Sequence, residues 1–142
     1  ISEKICDYRI ENSIKYVNQL KEILKNTYEQ KKENKFLAKL FQAIRIEVND
    51  EINSLKQMLK QSINLIKTGG RLVVISYHSL EDRLVKNIIK NGKFDGEVDK
   101  DFYGNHLPYF KKINRKPITP SNKEIFNNSR SRSAKLRIAE RI

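Results

Sequence analysis

Ser76, His78 and Ser79 are the residues of this sequence at which side-chain chemistry and chain position coincide. They fall within the run 69–83, GGRLVVISYHSLEDR, where a glycine pair stops a helix and residues 72–76 read as a strand. Open α/β sheets bind ligands outside the carboxyl ends of their strands, so polar groups placed there point at a site. An imidazole flanked by hydroxyls can hold a base edge through hydrogen bonds or act as a general base, and it can equally be a satisfied structural histidine. Asp82 and Arg83, one turn later, read as an orienting ion pair or a helix cap.

Two further groups could contact an anion. Within 41–49, FQAIRIEVN, the residues Gln42, Arg45 and Asn49 recur at i, i+3 and i+7 on one helical face, with Glu47 off it. A solvated polar stripe has the same spacing, while a guanidinium beside amides can grip phosphate or stack on a base. Near the end, Ser129-Arg130-Ser131-Arg132-Ser133 is followed by Lys135 and Arg137, a set of cations and hydroxyls suited to an anion-gripping loop. Phe102, Tyr103, Tyr109 and Phe110 interleave with Lys100, Lys111 and Lys112, a composition that fits stacking on unpaired bases and fits small-domain packing as well.

The elements that must position these groups follow from hydrophobic periodicity. Short helices are predicted at 2–9 and 15–26, with a polar loop over 27–34. Helical spacing from 35 to 67 is long enough for two helices with a bend, and Gly69-Gly70 stops it. The strand 72–76 is apolar on both faces, the pattern of a parallel sheet covered by helices. A helix at 80–90 follows, then a long loop over 91–134 punctuated by Gly92, Gly96, Gly104, Pro108, Pro117 and Pro120. That loop carries one short helix at 122–127, capped by Ser121 with Glu124 three residues on, and a terminal strand spans 135–142. This is the closing part of a doubly wound sheet, in which the strand 72–76 finds only 135–142 as a neighbour and needs cover for its edge and faces.

Composition narrows the function classes. The 142 residues carry a net charge of +12, which points to a polyanion partner, nucleic acid before membrane. Lys outnumbers Arg by 20 to 9, and Lys, Asn and Ile make up 52 residues, a bias that AT-rich coding also imposes. The arginines are therefore the more telling cations. No apolar run is long enough to span a bilayer. The single Cys6 excludes an internal disulfide or a cysteine-based zinc site and suits a reducing cytoplasm; no metal site is predicted. None of the five glycines makes a Gly-rich turn between a strand and a following helix, so this chain alone is not expected to hold a dinucleotide or S-adenosylmethionine. The first residue, Ile1, suggests a fragment or a processed chain.

Three blocks, KFLAKLFQAIRIEVNDEI (35–52), GGRLVVISYHSLEDRLVK (69–86) and PSNKEIFNNSRSRSAKLRIAER (120–141), together resemble the carboxyl-terminal half of the bacterial 16S ribosomal RNA (cytosine-N4)-methyltransferase family. Tyr77 stands where that family usually has Phe, and Ser129 follows Asn128 where Pro is common. The resemblance implies the carboxyl-terminal part of a class I (Rossmann-like) methyltransferase sheet, preceded by the end of an inserted helical domain. Residues 1–40 would end the insert, which recognises substrate, and 41–142 would close the catalytic domain. It implies methyl transfer from S-adenosylmethionine, bound mainly by residues outside this chain, to a cytosine amine in the decoding region of the small subunit. The base would be oriented by His78, Ser76 and Ser79, and the RNA held by Arg45, Gln42, Asn49, Arg130, Arg132 and Lys135. The implied partners are 16S rRNA and the amino-terminal half of the same enzyme, in the cytoplasm and with no membrane; whether the enzyme forms a homodimer stays open. His106-Leu-Pro-Tyr109 shares its end with the acceptor motif of amino methyltransferases but follows no strand and lacks the leading acid or amide. Alternative readings are a non-catalytic basic RNA-binding module and one half of a split enzyme, and the isolated chain is expected to be inactive.

Overall fold

The computed structural model describes residues 1–95, 102–103 and 108–142. Gly96, Lys100, Gly104 and His106, each singled out in the sequence, lie outside the described residues.

The chain divides into two compact units, Ile1–Asp50 and Glu51–Ile142. The first unit holds helices α1 (Ser2–Glu11), α2 (Val17–Leu24) and α3 (Glu33–Val48). Gln19 starts α2 by accepting the backbone N–H groups of Lys15 (2.8 Å) and Tyr16 (2.9 Å) on its amide oxygen. The segment expected as a polar loop contains two short 3₁₀ turns, Lys25–Thr27 and Gln30–Lys32. Across it the rings of Tyr28 and Phe36 pack at 4.6 Å, while Leu24 and Leu37 form the buried apolar contacts. The helical run splits at Asp50, whose φ of 50° is left-handed, a conformation that Asp and Asn tolerate better than other side chains.

The second unit begins with α4 (Glu51–Leu65) and continues through β1 (Arg71–Ser76), α5 (Ser79–Asn91), β2 (Phe110–Lys112), α6 (Asn122–Asn127), a 3₁₀ turn (Ser129–Ser133) and β3 (Lys135–Arg141). Gly69 adopts φ 83°, and a Cβ on Gly70 would lie 2.7 Å from Ile66 Cγ2 and 2.8 Å from the Lys67 carbonyl. The tight turn lets the Gly69 N–H reach the Arg141 carbonyl at 2.8 Å, while the Gly70 carbonyl accepts the Arg141 N–H at 2.8 Å. β1 is thereby brought into register with β3.

The sheet order is β1-β3-β2, and both pairings are antiparallel. This corrects the expectation of parallel pairing for β1. One face of β1 is left without cover, as expected for a strand that finds only 135–142 beside it. Leu72, Val74 and Ser76 face α4 and α5, whereas Val73 and Ile75 are 55% and 56% exposed. A continuous apolar run does not report which of its two faces is covered. The core is built from Leu72 and Ala139 of the sheet, Leu59 of α4, Phe94, Phe110 and the α5 stripe Leu84, Val85, Ile88, Ile89.

The region expected as one long loop is more ordered than its punctuation suggested. β2 pairs Phe110 with Arg141 and Lys112 with Ala139, and Ile118 bridges Leu136. Asn114 takes the place of a missing strand: its Oδ1 accepts the Ile138 N–H at 2.7 Å and its Nδ2 donates to the Lys116 carbonyl at 2.6 Å. The helix at 122–127 occurs as expected, with Ser121 Oγ accepting the Glu124 N–H at 3.2 Å. Among the described residues no helix is long and apolar enough to cross a membrane.

Candidate functional site

Two of the groups picked out in the sequence meet at one end of the sheet. The register pairs Ser76, the last residue of β1, with Lys135, the first of β3. The strand-end Ser76–Ser79 group and the arginine turn Ser129–Ser133 therefore lie toward the same sheet end, although 50 residues separate Ser79 from Ser129 in sequence.

The three candidates of the first group differ in access. Ser76 is buried, with its Oγ 3.5 Å from the Lys135 carbonyl; His78 is half-buried; Ser79 is exposed. His78 is the N-cap of α5, and its Nδ1 accepts the Glu81 N–H at 3.4 Å. Glu81 returns the interaction, its Oε2 accepting the N–H groups of Tyr77 (2.8 Å) and His78 (3.3 Å). This is the reciprocal box that a cap residue and an acid three positions later form at a helix start. His78 Nε2 is buried and lies 3.2 Å from Glu81 Oε1, without the alignment of a hydrogen bond.

Glu51, from the start of α4, brings a second carboxylate into this cluster, so that donor atoms of Glu51, His78 and Glu81 lie within 4.8 Å of one another. A neutral imidazole has one acceptor nitrogen. Here Nδ1 is already spent on the Glu81 N–H, which leaves the proton on Nε2, facing carboxylate. The cap holds the ring in one orientation. Neither Glu81 nor Glu51 was among the candidate residues read from the sequence. The spacing of His78 to Glu81 was a signal for the first; nothing local signalled the second.

Asp82 does not pair with Arg83. It is buried and receives Arg137 in a two-point contact, Nε to Oδ1 at 2.7 Å and Nη2 to Oδ2 at 3.1 Å, with Lys135 Nζ at 3.3 Å from Oδ2. Burial alone would raise the Asp82 pKa; the hydrogen bonds and charges of Arg137 and Lys135 outweigh it and hold the carboxyl below its ordinary value. Lys135, expected to grip a polyanion, has its ammonium directed at this carboxylate.

In the neighbouring turn, Ser131 is buried and donates to the Asn128 carbonyl at 2.8 Å, and Asn128 Oδ1 accepts the Arg130 N–H at 3.2 Å. Anchored so, the turn carries Arg130 and Arg132 at exposed positions. Gln42, Arg45 and Asn49 belong to the first unit, where Gln42 is half-buried and the other two are exposed along α3 and its C-cap. The aromatic set separates. Phe110 is core, Tyr109 stacks under Arg141 at 5.6 Å, and Phe102 and Tyr103 are exposed. Gly69 and Gly70 precede β1 and Gly92 ends α5 with φ 72°, so none of them forms a strand-to-helix cradle for a nucleotide cofactor.

The sequence pattern described as the MraW methylase family matches residues 1–142, the full length of the chain. The chain belongs to the MraW methylase family. Among its relatives, the ribosomal RNA small subunit methyltransferase H of Amoebophilus asiaticus is 56% identical over 141 residues, 99% of this chain and 46% of that protein. The protein of the same name from Flavobacterium johnsoniae is 54% identical over 142 residues, covering 100% and 47%. That from Parabacteroides distasonis is 52% identical over 129 residues, covering 91% and 42%. This MraW-family chain thus spans about half the length of the relatives it matches.

Proposed function

We propose that this chain is the carboxyl-terminal half of an S-adenosylmethionine-dependent methyltransferase acting on the exocyclic amine of a cytosine in 16S rRNA. Family membership and the printed names of the relatives support the reaction class and the rRNA substrate. The observation that supports the local reading is the Ser76–Lys135 register, which pairs the strand end just before the His78 cap with the first residue of β3, shortly after the 129–133 turn. In this reading residues 1–40 end an inserted recognition domain, and 41–142 close a class I sheet whose other strands, with the cofactor cradle, come from the rest of the polypeptide. The cofactor supplies the methyl group, and the part of the described residues in this reading is to hold RNA.

A cytosine amine is a weak nucleophile because its lone pair is delocalised into the ring. An enzyme gains most by aligning the amine and by accepting its N–H hydrogen bonds. Ser79, exposed at the start of α5, offers a hydroxyl oxygen for such an N–H, while His78 acts through the cap that orients this helix start and Ser76 through the strand end before it. Arg130 and Arg132 hold backbone phosphate, with Lys135 balancing Asp82 beside them. Gln42, Arg45 and Asn49 offer a second RNA-contacting face on α3.

The test is methylation of unmodified small subunits by the protein as it is made in the cell. His78→Ala should lower the rate roughly ten- to a hundredfold, the equivalent of one or two lost orienting contacts. A full rate would remove His78 from the site. A second reading, one half of a split enzyme that works in the cytoplasm with a separate amino-terminal partner, is favoured by the exposure of Val73 and Ile75 on an edge strand. Co-purification with such a partner would select it.

A further inference from the structure

Three lysines beyond the strand-end site form a cationic strip. Lys86 and Lys90 stand one turn apart on the exposed side of α5. Lys112 pairs with Ala139, which also pairs with buried Leu72, so Lys112 lies on the sheet face that α5 covers. Arg137 belongs to the same face, two residues before Ala139 in β3. Partial burial, and then the charges of Lys90, Arg137 and Lys86, lower the Lys112 pKa from its ordinary value. These cations repel one another, and the nearby Asp82 is already shared by Arg137 and Lys135. Among the described residues Lys86, Lys90 and Lys112 have no carboxylate partner.

A row of like charges without counter-charge is stabilised by a polyanion whose own charges are spaced along a line. α5 begins at the site, with Ser79 as its first residue, and Lys90 lies roughly 16 Å along its axis at about 1.5 Å per residue. We propose that Lys86, Lys90 and Lys112 carry the phosphate backbone of single-stranded RNA leading away from the strand-end site. A single strand fits better than a duplex, because a base presented to Ser79 and His78 must already be unstacked and unpaired. This inference rests on the rRNA reading above and adds the path that the strand takes.

The experiment compares the protein as made in the cell with a Lys86→Gln, Lys90→Gln, Lys112→Gln triple variant. The probe is a labelled single-stranded RNA oligonucleotide of small-subunit rRNA sequence, titrated over a range of salt concentrations. Each lost phosphate contact removes about 0.7 from the slope of log K against log salt, so the slope should fall by about 2, and the corresponding Lys→Arg triple variant should keep it. An unchanged slope in a Gln variant of normal melting temperature overturns the strip and leaves the rRNA reading standing. Failure of the unmodified protein to bind the RNA in a salt-dependent way overturns both. A slope change seen with poly-glutamate and not with RNA also overturns the proposal, and assigns the strip to an acidic protein.

Discussion

Asp82 and Arg137 join the first turn of α5 to the middle of β3, at 2.7 Å between Oδ1 and Nε. The pair sits one turn after the His78 cap and two residues after Lys135, so it holds the helix start and the arginine turn in a fixed relation. A guanidinium meeting a carboxylate at two points is geometrically more demanding than an ammonium, and replacing Arg137 by Lys would lose that constraint.

Stability should depend on pH through Asp82. Its folded-state pKa lies below the ordinary value, so its contribution is fully present above that value and is lost as pH falls through the folded pKa. Asp82→Asn should cost about 3 kcal/mol at pH 7 by leaving Arg137 without its counter-charge. Urea melts at pH 7 and in strong acid would check this, with variant and parent converging in acid.

The Glu81 carboxylate accepts two backbone N–H groups and faces the His78 ring. Glu81→Gln keeps an acceptor and should preserve most of the stability. Glu81→Ala should cost about 1 kcal/mol as a lost cap and should lower the methylation rate by more than that stability loss accounts for. Equal losses of rate and folded fraction would make Glu81 purely structural.

Asn114 substitutes for a strand by serving the Ile138 N–H. Asn114→Ala leaves that partly buried donor without its partner and should destabilise by about 1 to 3 kcal/mol. Faster hydrogen exchange at the Ile138 amide, with that at Val74 less affected, would localise the damage.

At the turn before β1, Gly70→Ala should be worse than Gly69→Ala. A Cβ on Gly70 meets Ile66 Cγ2 at 2.7 Å and the Lys67 carbonyl at 2.8 Å, whereas Gly69 has open space and only an unfavourable φ of 83°. About 2 kcal/mol against about 1 kcal/mol is expected, read from thermal melts.

Elements with a strong period or a specific stop were legible in the sequence. The α5 stripe, the Gly69-Gly70 turn, the Ser121–Glu124 cap and the β1 and β3 strands fall where residue pattern and turn chemistry place them. β2 was not legible, because Phe110-Lys111-Lys112 has one apolar residue and is a strand only by virtue of its partner. Pairing direction was misread because the alternation that marks a one-sided sheet is absent from Leu72-Val-Val-Ile75. At the site, His78 and the arginine turn were each visible, but their convergence, the reach of Glu51 and the partners of Asp82 depend on contacts distant in sequence, which no local pattern encodes.

The central strand of the sheet is the one synthesised last. β1 leaves the ribosome 59 residues ahead of the partner that pairs with Ser76, and β2 waits for the same strand. At about 5 to 20 residues per second, the delay is roughly 3 to 12 s. Throughout it, the apolar stripe of α5 and the β1 edge that pairs with β3 lack their partner strand. A nascent chain in this condition is a natural client for holding chaperones, and loss of even a few residues from 135–141 would leave the second unit with no sheet to close.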